Sequence, residues 1–142
     1  MPYQQVVTTK EKAICHLLLF FSLYEDETFE GEETLQVFSI LKAYPLTANI
    51  NFPEEVNVFF DYKKDITDVL GYFHYLVGLI SYGSPLLIFF HAAQVALSDT
   101  VFSEQDREFL LLLRMAFDID KAHGNLVLEL ALAERNLKMQ IC

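Results

Sequence analysis

The sequence predicts an all-α fold, a single-domain bundle of about six to seven helices. Three observations carry this. Apolar residues recur with helical spacing in one segment after another. No stretch sustains the alternation of a half-buried strand. A short acidic segment also occurs twice, each time between two apolar runs. One copy is Asp26-Glu27-Thr28-Phe29-Glu30-Gly31-Glu32-Glu33, the other Asp99-Thr100-Val101-Phe102-Ser103-Glu104-Gln105-Asp106.

Residues 1–9 are polar and predicted to fray. From Lys10 to Tyr24 the apolar residues form a stripe broad enough for a helix buried on more than one side. The first acidic segment ends it. A second helix is predicted over 31–43, with Leu35, Val37, Phe38 and Leu41 inward and Pro45 just beyond. Asn51-Phe52-Pro53-Glu54-Glu55 reads as a helix start, leading to a short helix through Phe60. Tyr62-Lys63-Lys64 reads as a turn, and Asp65 as the N-cap of a helix reaching Tyr82, with Val69, Tyr72, Phe73, Leu76 and Ile80 in spacing. Gly83-Ser84-Pro85 breaks the pattern, and Pro85 suits the first turn of a helix to Leu97.

After the second acidic segment, Ser103 and Asp106 resemble a capping box opening a helix to Phe117. Its inward face carries Phe109, Leu110, Leu113 and Phe117. Asp118-Ile119-Asp120 reads as a cap. The last helix, 121–138, is predicted to bury Leu126, Leu130, Ala133 and Leu137 and to expose Glu129, Glu134, Arg135 and Lys138. Residues 13–44 and 86–117 align as two pseudo-repeated helix–acidic loop–helix hairpins, with Asp26 against Asp99, Phe29 against Phe102 and Glu33 against Asp106. The predicted bundle has no polar interior, and its acids form two pseudo-symmetric faces.

Composition narrows the function classes. Twenty acids against ten bases give a formal net charge of −10 over 142 residues. That balance opposes binding to a nucleic-acid backbone, which needs clustered Lys and Arg. Neither apolar segment, 13–23 nor 70–97, has the uninterrupted length of a membrane span, so direct membrane insertion is not expected. Cys15 and Cys142 form no metal or redox pair and fit a reducing compartment. No Gly-rich phosphate loop, HExxH or GxSxG is present, and the reading is non-enzymatic.

The acidic segments carry the candidate chemistry. Six acids lie between Glu25 and Glu33 with no base among them. Three readings stand: a hard divalent cation held by carboxylates, a basic protein partner, or solvated acids serving as helix starts. Neither segment has the EF-hand pattern, because position twelve of the first would be Val37 and the second lacks the glycine. Phe29 and Phe102 read as plugs pinning the loops to the core. His16, His74 and His91 lie in apolar runs and read as hydrogen-bonded core or interface histidines. Tyr62, Tyr72, Tyr75 and Tyr82 are candidates for an aromatic homodimer interface, the alternative in which the chain is a helical scaffold.

The doubled pattern of apolar helix, acidic motif and apolar helix resembles the tellurite-resistance protein TerB and its relatives. Residues 25–33 are similar to the first family motif and residues 98–106 to the second. The family's loop glycine is replaced by Glu27 and Thr100, and residues 44–84 match no motif. The resemblance implies a bacterial helical module, cytoplasmic or at the inner face of a membrane complex. It implies links to tellurite and chemical stress, divalent-cation binding and no catalysis. Carried over, the binding positions are Asp26, Glu30, Glu33, Asp99, Ser103 and Asp106, with Asp26, Glu30, Asp99 and Asp106 as the metal-ligating subset.

Overall fold

The computed structural model describes residues 2–26, 31–80, 84–98 and 102–141, the side chains of residues 31–33 and 141 excepted. Among them are eight α helices and no strand: α1 (Tyr3–Val6), α2 (Lys10–Leu23), α3 (Gly31–Lys42), α4 (Phe52–Tyr62), α5 (Val69–Ile80), α6 (Pro85–Ala96), α7 (Glu104–Ala116) and α8 (Lys121–Ile141). A 3₁₀ turn, Lys63–Asp65, follows α4.

Helix α2 lies at the centre and packs against α3, α4, α5 and α6. It has no polar face to show solvent: Ala13, Cys15, Leu17, Leu18, Leu19, Phe20 and Leu23 are all buried. Helix α5 bridges α2 to α7, and α6 carries both α7 and α8. The two acidic segments therefore join α2 to α3 and α6 to α7, the hairpins that the repeat implies. Local chemistry sets the starts. Thr9 accepts from Lys12 N at 3.3 Å, and Asn51 accepts from Glu54 N at 3.3 Å.

Several expectations need correction. Residues 2–9 are held against the body. The Tyr3 ring meets Tyr72 edge-on at 4.9 Å, Val7 is fully buried, and the Tyr75 hydroxyl donates to Val7 O at 2.7 Å. Asp65 caps no helix. It ends the 3₁₀ turn, and Asp68 Oδ1 accepts from Gly71 N at 3.0 Å at the start of α5. In α3, Val37 and Leu41 are buried, but Leu35 and Phe38 are 60% and 38% exposed. Helix α8 is rotated from its predicted setting: it buries Val127 and Ala131 and leaves Leu126, Leu130, Ala133 and Leu137 exposed.

The interior is also polar, against expectation. His16 is fully buried between Glu55 and Tyr62, with Nε2 to Glu55 Oε1 at 2.8 Å and Nδ1 to the Tyr62 hydroxyl at 2.6 Å. The Tyr62 hydroxyl lies 2.6 Å from that of Tyr72. Burial pushes both phenols up, so both stay protonated. The hydrogen bonds form one continuous chain from Tyr72 through Tyr62 and His16 to Glu55. This relay ties α2, α4 and α5 together. It also removes Tyr62 and Tyr72 from any homodimer surface, since both are in the core. His16 matches its reading as a hydrogen-bonded core histidine, whereas His74 is exposed on α5.

Candidate functional site

The end of α2 and the start of α7 meet at one corner. Tyr24 stacks on Phe20 at 4.4 Å and meets Phe109 of α7 edge-on at 5.6 Å. Phe20 itself meets Phe109 at 5.0 Å. This aromatic packing draws the two loop mouths together. Lys63 completes the end of α2, its ammonium donating to the backbone carbonyls of Leu23, at 2.8 Å, and Asp26. On the other side Ser103 Oγ accepts from Asp106 N at 3.0 Å, and Asp106 Oδ2 accepts from Ser103 N at 3.2 Å. This is the predicted capping box, with Asp in the usual Glu place.

Between these ends lies a recess of about 230 Å³. Phe20, Phe21, Tyr24 and Phe109 form its base, and Ser22, Glu25, Asp26, Ser103 and Asp106 its polar wall. No lysine or arginine is among the described residues lining it. The electrostatic consequence falls on Glu25, whose carboxyl is pushed up from its ordinary value. Burial is the main cause, followed by the negative charges of Asp106 and Asp26. Glu25 thus sits beside other carboxylates, with the Lys63 ammonium close by on the backbone carbonyls of Leu23 and Asp26.

Of the predicted site residues, Asp26, Ser103 and Asp106 come together here. Glu30 and Asp99 lie outside the described residues, as does the side chain of Glu33. Glu25 is the wall residue that the motif did not single out, although it belongs to the six-acid run. Of the acids in the two segments, the described Glu25, Asp26 and Asp106 share one corner, while Glu104 lines a separate recess. Among the described residues no three His, Cys, Asp or Glu side chains are placed to hold a metal ion. Of the two loop phenylalanines, Phe102 packs partly buried against the core with Arg107 over its ring at 5.4 Å, and Phe29 is outside the described residues.

A second concavity, of about 180 Å³, lies between α2, α3 and α6. Its walls are aliphatic, with Ile14, Leu18, Ile40, Leu87 and Ile88 prominent. His91 stands beside it, 2.6 Å from the Tyr44 hydroxyl and 2.6 Å from Gln94 Oε1. Gln94 Nε2 donates in turn to Glu134 Oε2 at 2.5 Å. No carboxylate lines this cleft among the described residues, and the acid nearest His91 in this chain of bonds is Glu134, reached through Gln94.

No family model matches the chain, and neither a curated protein nor a solved structure matches it. Among the described residues no helix is long and apolar enough to cross a membrane. The class that the described residues define is an all-helical bundle with an acidic corner.

Proposed function

We propose that the chain is a non-catalytic binding module of the TerB type, acting in the cytoplasm, whose acidic corner receives positive charge from a partner. The observation that carries this reading is the convergence of Glu25 and Asp26 with Asp106, from loops far apart in sequence, into one recess without a lining base. Carboxylates so placed repel one another, which adds to the burial that raises Glu25, and a bound cation relieves that repulsion. A lysine or arginine side chain from a basic protein suits the recess better than a bare metal ion. The described residues supply no three-ligand group, while the aromatic base suits an organic cation. The residue roles are direct: Glu25 and Asp26 contribute charge from the segment just after α2, Asp106 from α7, and Ser103 holds Asp106 in place.

Calorimetric titration tests this. A lysine- and arginine-rich peptide is expected to bind the wild-type chain and to lose at least tenfold in affinity with Asp26→Asn/Asp106→Asn. Calcium, magnesium, manganese and zinc in parallel cells test the divalent version. Absence of heat from the peptide and from all four metals would sink the proposal.

A further inference from the structure

Helix α8 carries an apolar seam that no described part of the chain covers. Leu126, Leu130, Ala133 and Leu137 recur at intervals of four, three and four residues, the spacing of a coiled-coil contact. The three leucines are 54%, 54% and 56% exposed. The helix is nonetheless seated, because Val127 and Ala131 on a different face are buried and α8 packs on α6. Helix α8 therefore has two apolar faces, and the fold uses the one with smaller side chains.

We propose that the leucine seam joins two copies of this chain, packed antiparallel about a two-fold axis between Leu130 and Ala133. A second copy is favoured because the seam complements itself in that orientation. Leu126 then meets Leu137 of the partner subunit, and Leu130 meets Ala133 of the partner subunit, large against small. The flanks agree. Glu129 faces Asn136 of the partner subunit, while Glu134 on the other flank is held within its own chain by Gln94 and Lys138, so no like charges oppose. A parallel pairing instead sets Glu129 beside Glu134 of the partner subunit, a repulsive register. The contact is isologous and closes at two copies. Four residues over three turns make a small interface, so the dimer is weak and reversible. Each copy carries −10, and screening by salt strengthens the pairing. This proposal does not depend on the acidic corner.

Sedimentation velocity on the full chain, from about 10 μM to about 1 mM, is expected to show a monomer–dimer equilibrium that strengthens with added salt. Leu130→Gln and Leu126→Gln, both at exposed positions, are expected to weaken it at least tenfold with unchanged helicity. In a Cys142→Ser background, Glu129→Cys with Asn136→Cys cross-links two chains, whereas Glu129→Cys with Glu134→Cys does not. Within one helix both pairs are too far apart to bridge. A strict monomer at the highest concentration, indifference to both glutamine variants, association weakened by salt, or cross-linking of the second cysteine pair overturns the proposal.

Discussion

The buried relay shows how much one polar side chain can commit. His16 stacks on Tyr62 at 5.5 Å and 12° while bonding to it and to Glu55. His16→Leu strands a buried carboxylate and a buried phenol together, and is expected to cost about 3 kcal/mol in urea unfolding. Adding Glu55→Leu removes the orphaned charge, so the double variant is expected to lose clearly less than the two single losses combined. The histidine was legible in the sequence because it interrupts an apolar run. Its partners were not. Glu55 carries every mark of a first-turn acid, and Tyr62 sits at the end of a helix beside two lysines. Only the packing of α4 across α2 turns both inward. Cys15, one residue away, was legible as core, and burial pushes its thiol up.

At the scale of the element, α7 and α8 show which signals are local and which are not. The join between them is local. Asp118 follows α7 at φ 56°, Asp118 N donates to Met115 O at 3.1 Å, and Ile119 N donates to Arg114 O at 3.1 Å. These are the paired bonds of a Schellman ending, whose left-handed residue is usually glycine. Asp118→Gly removes the Cβ clash of that conformation and is expected to stabilise by about 0.5–1 kcal/mol, read as a raised thermal midpoint. The setting of α8 is not local. Leucine spacing pointed to Leu126, Leu130 and Leu137 as the buried face, yet Gly124, Val127 and Ala131 are buried instead. Small side chains allow close approach to α6, which itself buries Ala92, Ala93 and Ala96. The side chain of Arg114 lies over Gly124, where a Cβ would meet its Cδ at 2.5 Å. Helical spacing records that a stripe is apolar, and the neighbouring helix decides which of two stripes it covers.

Across the whole molecule, charge couples the corner to stability. Glu25 has a raised pKa in the folded chain, so its contribution is fully present below the ordinary glutamate value and lost as pH rises through the raised one. Glu25→Gln removes that dependence. The variant is expected to melt above the wild type at neutral pH and level with it near pH 3, where Glu25 is protonated folded or unfolded. Equal midpoints at both pH values would show that the corner carries no strain from its charges. The acidity of both loops was legible from composition and repeat, and so were the all-helical class and most helix bounds. Their meeting at one corner was not, because α5 sets it by packing on both α2 and α7.

The central position of α2 has a consequence during synthesis. Its residues 10–23 are buried by helices that begin at residues 69 and 85. At roughly 5–20 residues per second, those partners emerge several seconds after α2 itself, while a helix forms in about a microsecond. For that interval the nascent chain displays a greasy rod with only α3 and α4 to lie against, apolar surface of the kind that chaperones at the ribosome shield.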